Sequence, residues 1–384
     1  MSLRTAHHRI AERRELARLL DLGRSIQMPA PRRIGKTWLL GRLAEDLRAA
    51  GWLCVSLDVQ GKRTEQEFLR MLCQEIEKHQ DLHRSALAQL KSRFRHIKEG
   101  AGAASLLELL TAGVDPRTFS EGLIESLDAT HKKTVVLIDE LSLFALDMAE
   151  GDADALRALL YHLRHLREKN RNVRWLFTGS IGLDVVAARY NLQGSLVDLD
   201  IFELRPFDEG EARAFIEELR EQNRLHTPFV FAEGAFETLA RELGWLAPYY
   251  LDLLANTIRP SVPAAGTNPA RATSADVDAA FDALLDASRR GYFATWREHL
   301  NKNFPRDQTT QLHAVLDILC EDSDGERAET ILARFGAAFA NPSRRDLLDR
   351  LTDLASGGFL EEAGDRWRFR SGLLRRYWAK WMKS

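Results

Sequence analysis

The run Ala30-Pro31-Arg32-Arg33-Ile34-Gly35-Lys36-Thr37, followed by Trp38, matches the pattern G-x-x-x-x-G-K-[ST] at every position but the first. The chemistry of that pattern is anion binding. Successive backbone N–H groups curl around a phosphate at a helix N-terminus, and glycine lets the backbone come close. In such a loop the Lys36 ammonium would reach the β and γ phosphates of ATP, and the Thr37 hydroxyl would hold Mg2+. Ala30 stands where the pattern has glycine. Were its backbone to need a positive φ, the Cβ would cost about 1 kcal/mol.

A Gly-Lys-Thr tripeptide by itself occurs in ordinary turns. What counts against chance is Asp139-Glu140, directly after the wholly apolar run Thr134 to Ile138 (TVVLI). There Asp139 would bind magnesium, directly or through water, and Glu140 would orient and deprotonate the attacking water. A charge pair at a helix N-terminus would look the same in isolation, but the two patterns occur together and in the right order. A third strand closes on Thr178-Gly179-Ser180, and from there Ser180 would touch the γ-phosphate. A plain turn explains those residues equally well. Arg189 is a candidate arginine finger in an arginine-rich chain. His162 and His165 lack the partners of a zinc motif and read as surface residues.

These residues need elements to carry them. Ser25 to Met28 reads as a strand, the loop 29–35 follows, and Leu39, Leu40, Leu43 and Leu47 mark one face of a helix from Lys36 to about Ala49. A short amphipathic helix precedes them, from Ile10 to Leu22. Further strands are predicted at Trp52 to Val59, Thr134 to Ile138, Val173 to Thr178 and Leu196 to Leu204, with a largely helical stretch from Thr64 to Thr130 broken near Gly100 and at Asp115-Pro116. The helix after Asp139-Glu140 is the one carrying Leu156, Leu159, Leu160, Leu163 and Leu166. Strands alternating with helices imply right-handed crossovers and a parallel sheet with helices on both faces.

After Pro206 the pattern predicts helices only, at about 211–223, 234–243 and 248–258, then a Pro, Gly and Ala-rich link and a long helix carrying Val277, Phe281, Leu284 and Leu285. From about Thr309 the order is three helices, a hairpin around Gly357 to Arg370, and a short amphipathic helix. That is the order of a winged helix-turn-helix. The expected segments are a core over 1–206, a helical lid over 207–305 and a winged helix over 306–384.

Composition bounds the partners. Lys plus Arg number 54 against 56 Asp plus Glu, so nucleic acid must be argued from a local patch rather than overall charge. Residues 309–384 hold 12 basic and 12 acidic side chains, yet 366–384 hold seven basic and no acidic ones. Trp367 and Phe369 alternate with Arg366, Arg368 and Arg370, which puts aromatics on the inner face of the hairpin and arginines on the outer. The expected recognition helix, about Ser343 to Leu354, mixes Arg344, Arg345 and Arg350 with Asp346, Asp349 and Asp353. Weak DNA binding, strongly dependent on salt, and a protein contact as the main role are what this distribution predicts. The apolar runs are too short to span a bilayer and the N-terminus has no signal-peptide core, so a cytoplasmic location without membrane contact is expected. Cys54, Cys73 and Cys320 stand at unrelated spacings and suggest no disulfide framework.

Taken together, the segments MPAPRRIGKTWLL, TVVLIDE, WLFTGSIGL, LRPFDEGEA, GWLAPYYLDLL and RFRSGLLRRYWAKW resemble the archaeal-type ATPases of the STAND class of P-loop NTPases. The resemblance covers nearly the whole chain and implies an AAA-like core, a lid and a C-terminal winged helix. It also implies that Pro248 is the lid proline facing the nucleotide base, and that the chain is a nucleotide switch, without naming the output; a partner protein, as in signalling or defence, is the first reading of that output. Homo-oligomers fit this class. The initiator ATPases, which join a similar core to a winged helix on duplex DNA, offer the alternative reading, and a nucleotide-binding module with little turnover a third.

Overall fold

The computed structural model describes residues 9–94, 105–112, 114–266, 268–304, 306–339 and 343–383, and the break expected near Gly100 lies outside them. The chain packs as two units, one of Arg9–Ala30 with Lys36–Leu204, the other of Arg205–Ser384 with the loop Pro31–Gly35.

The first unit runs α1 (Ile10–Asp21), β1 (Ser25–Pro29), α2 (Lys36–Ala49), β2 (Leu53–Asp58), α3 (Glu65–Glu77), α4 (Gln80–Arg93), α5 (Leu106–Thr111), α6 (Pro116–Asp128), β3 (Thr134–Asp139), α7 (Leu141–Gly151), α8 (Ala153–Lys169), β4 (Val173–Gly179), α9 (Leu183–Arg189) and β5 (Leu199–Ile201). Its five strands are all parallel, in the order β2-β3-β4-β1-β5. Every residue of β3 is buried, as a central strand covered by helices on both faces requires. Local signals set the helix starts. Thr64 and Glu67 form a capping box at α3, and Asp115 caps α6 with Pro116 at its first position, so the Asp115-Pro116 break is a helix start.

Two expectations in this unit change. The fifth strand spans Leu199–Ile201 alone, with Gln193–Leu196 wound as a 3-10 turn before it. At the sheet edge β5 has one neighbour, β1, to extend it. A helix that the sequence reading did not place, α7, follows Glu140 directly. It is buried on nearly every side, with Phe144 packed 6.0 Å from Phe68, so it lacks the polar face by which a helix is recognised.

The second unit runs α10 (Glu209–Glu221), β6 (Val230–Phe231), α11 (Ala235–Leu243), α12 (Pro248–Ala255), β7 (Arg271–Ala272), α13 (Ser274–Leu284), α14 (Gly291–Asn303), α15 (Arg306–Leu319), β8 (Glu326–Arg327), α16 (Ala328–Ala338), α17 (Arg344–Ser356), β9 (Leu360–Ala363), β10 (Arg366–Phe369) and α18 (Gly372–Trp381). Capping boxes open α10 (Asp208, Glu211), α13 (Thr273, Asp276) and α17 (Ser343, Asp346). The expectation of helices only is corrected by the parallel β6–β7 pair, whose strands lie too far apart in sequence for any local signal. β10 pairs with both β9 and β8, giving the hairpin a third strand. Aromatic packing joins the lid helices to the winged helix. The indole N–H of Trp296 donates to the fully buried Tyr250 hydroxyl (2.5 Å), its ring meets Phe359 edge-on (4.7 Å), and Phe293 stacks on Tyr377 (4.4 Å). Among the described residues no helix is long and apolar enough to cross a membrane.

Candidate nucleotide site

The sheet order places β4 between β1, which feeds the loop 30–37, and β3, which ends on Asp139. Their C-terminal ends therefore deliver Thr37, Asp139 and Thr178 to one place. The buried Asp139 carboxylate is the hub: Thr37 Oγ1 donates to its Oδ2 (2.6 Å), while Thr178 Oγ1 and the Glu140 N–H (3.1 Å) donate to its Oδ1. Lys36, the first residue of α2, is buried at 6% exposure. Its ammonium donates to the Ala30 carbonyl (2.7 Å) and stands 3.8 Å from Glu140 Oε1.

Glu140 holds a left-handed backbone, φ 58°, at the junction of β3 and α7. For a glutamate that conformation is costly, and costs of this kind collect at functional sites. Its other carboxylate oxygen accepts the Ser180 N–H (3.0 Å). Ser180 thus meets Glu140 through its main chain, while its fully buried hydroxyl has no partner, as is also true of the Ser142 hydroxyl. The Thr178 hydroxyl, which bonds Asp139, is the side chain the sequence reading passed over in favour of Ser180. Strand alternation was the available signal, since Thr178 and Ser180 point the same way and Thr178 lies within the strand. Gly179 between them is required by space: a Cβ there would lie 2.0 Å from Ser142 Oγ.

Ala30 does not carry the strain expected of it. Among the described loop residues the positive φ values fall at Arg33 (75°) and Gly35 (96°). Ala30 extends the sheet instead, its N–H donating to the Gly179 carbonyl (3.1 Å). Gly35 is selected by backbone conformation rather than space, because a Cβ there would make only an ordinary 3.8 Å contact with Pro248 Cγ. Pro248, first residue of α12, therefore lies beside the loop. Pro31 and Arg32 are half-buried and Ile34 is buried at the loop's base. Trp38 lies in the first turn of α2 with the Arg42 guanidinium 5.6 Å from its ring centre.

Arg189 is the half-buried last residue of α9. His162 is not a surface residue: it is buried, and its ring meets the Ser120 hydroxyl at 2.7 Å, joining α6 to α8. In the winged helix the three hairpin arginines are engaged at home. Arg366 donates to the Gly325 carbonyl (2.8 Å), Arg368 pairs with Glu361 (2.8 Å) and Arg370 reaches the Ala355 carbonyl (3.4 Å). Trp367 and Phe369 are buried beneath them.

A parallel sheet with a strand inserted between the one that feeds the loop 30–37 and the one that ends on Asp139, followed by a lid and a winged helix, is the fold that this chain shares with solved Walker-type ATPase and ORC2 structures. Two solved structures carry it with this chain's layout. The Walker-type ATPase paby2304 of Pyrococcus abyssi is 17% identical, with 96% of this chain and 95% of that chain covered at a TM-score of 0.67. The ORC2 protein of Aeropyrum pernix, solved in ADPNP–ADP complexes, is 12% identical, with 95% and 90% covered at 0.54. No family model matches the chain. No curated protein matches it.

Proposed function

We propose that the chain binds ATP with Mg2+ and hydrolyses it, as a switch whose core (1–206), lid (207–305) and winged helix (306–384) pass nucleotide state to a partner. The observation that carries this reading is the single carboxylate, Asp139, which receives the hydroxyls of Thr37 and Thr178 while Lys36 and Glu140 stand together beside it. The residues fit the group. Thr37 Oγ1 and Asp139 Oδ2 already sit next to each other, as neighbouring ligands of one octahedral cation do, and both are the hard oxygen donors Mg2+ takes. Bound Mg2+·ATP supplies the transferable phosphoryl group and its charge-neutralising cation.

The rest falls to the protein. Residues 30–38 cradle the phosphates through main-chain N–H groups, and Lys36 exchanges the Ala30 carbonyl for phosphate oxygens. Glu140 takes the proton of the attacking water; the Ser180 N–H holds its carboxylate in place, and the Ser180 hydroxyl is free to bond the water or the γ-phosphate. Pro248 bounds the base side. The STAND class is the closer family assignment we propose, with a protein as the main partner. A second reading, a DNA-handling ATPase, draws on the likeness to ORC2 and on the seven basic residues of 366–384.

Calorimetry and a phosphate-release assay test the reading. Lys36→Ala should weaken ATP binding by about 1.5–3 kcal/mol, the scale of a hydrogen bond to a charged group. Glu140→Gln should keep binding and lose turnover, because it keeps shape and removes the base. Unchanged affinity in the first, or normal hydrolysis in the second, removes the role given to that residue.

A further inference from the structure

Arg33 lies inside the loop with its backbone in the left-handed region, which an arginine rarely adopts unless its surroundings hold it there. Two of its contacts come from one residue, Tyr249. The guanidinium carbon lies 4.0 Å from the centre of the Tyr249 ring, and the Tyr249 N–H, in the first turn of α12, donates to the Arg33 carbonyl at 3.4 Å. The N–H contact is long, so the stacking is the stronger of the two. Tyr249 is half-buried, and burial raises its phenol above the usual range against the opposing charge of Arg33. The ring therefore stays neutral, presenting its electron-rich face to the cation. Neither residue belongs to the G-x-x-x-x-G-K-[ST] signature positions, and α12 is remote in sequence from the loop.

We propose that Tyr249 is a positioning residue for the phosphate loop: its ring holds the Arg33 guanidinium and so maintains the left-handed turn that sets the direction of the following N–H groups. The inference rests on the phosphate-loop reading above and adds a hold on that loop by a lid helix. A change in the position of α12 then acts on phosphate affinity through one stacking contact.

A double-mutant cycle on the full chain tests this, reading ATP affinity by calorimetry and fold by melting temperature. Tyr249→Phe keeps the ring and should bind within twofold of wild type. Tyr249→Leu removes the ring at similar bulk and should bind about five- to thirtyfold more weakly, the span of a partly desolvated cation–π contact. Arg33→Ala should lose a comparable factor, and the double variant Arg33→Ala/Tyr249→Leu no more than the worse single. Wild-type affinity in Tyr249→Leu, an equal loss in Tyr249→Phe, or losses that multiply in the double variant would overturn the proposal. Should Tyr249→Leu fail to fold, Arg33→Ala is compared with Arg33→Ala/Tyr249→Phe: equal affinities support the proposal and unequal ones overturn it. Lys36→Ala serves as the control: if it binds ATP like wild type, the phosphate-loop reading fails and not the role of Tyr249 within it.

Discussion

Ala30 shows how one backbone angle changes an expectation. With its φ in the ordinary range and its N–H in the ladder to Gly179, the methyl group is accommodated, buried at 3% exposure. Ala30→Gly then has no strain to relieve and adds only freedom to the unfolded chain. It should lower stability by about 0.4–1 kcal/mol and leave ATP affinity unchanged. Chemical denaturation and calorimetry on the same variant check both halves, and tighter binding would mean that the methyl group hinders the loop. Thr178 makes the complementary point. Its hydroxyl and that of Ser180 are equivalent in a string of letters, yet one bonds Asp139 and the other has no partner.

Between elements, the buried contact of α6 with α8 carries a pH dependence. Ser120 donates its hydroxyl proton to the Arg117 carbonyl (2.9 Å), so at 2.7 Å it accepts from the Nε2–H of a neutral His162. Burial lowers the His162 pKa below its usual value, with Glu121 and Asp115 opposing and Arg117 and His165 assisting. A depressed histidine binds its proton more readily in the unfolded chain, so stability is full above the unfolded value of about 6.5 and falls as pH drops from there toward the native value. His313 shifts the same way by burial and adds to the trend. Melting curves at pH 7.5 and 5.5 should show wild type losing more stability than His162→Gln, which keeps a donor to Ser120 without a titrating ring. Equal losses would assign the acid sensitivity elsewhere.

For the whole molecule, the charges of the winged helix bear on what it touches. Its arginine face is held by Gly325, Glu361 and Ala355, and in α17 Arg344 pairs with Glu329 and Arg350 with Asp353. Phosphate contacts would have to displace these bonds, so duplex binding should be weak and steeply salt-dependent. A salt titration of wild type and of an Arg366→Ala/Arg368→Ala/Arg370→Ala variant should show weak binding in low salt that the variant lacks. Sequence-specific binding that survives physiological salt would favour the DNA-handling reading instead.

The sequence by itself determined the parallel sheet and set Lys36 and Thr37 at the start of α2 and Asp139 and Glu140 at the close of β3, because each is written in local terms: apolar runs, and a loop pattern between a strand and a helix. The tertiary structure alone decided what depends on distant segments meeting. α7 hides its periodicity by being buried all round, and β6 finds β7 across a gap that no local pattern bridges. Gly357-Gly358 opens the stretch in which the sequence places the hairpin. Only in the fold does Gly358 also have to be glycine, because its φ is 84° and a Cβ there would lie 2.5 Å from Pro31 Cβ. Arg33 likewise reads as one more arginine until the Tyr249 ring is found over it. Such contacts depend on where the chain returns in space, and a linear sequence records that only through the packing of the whole.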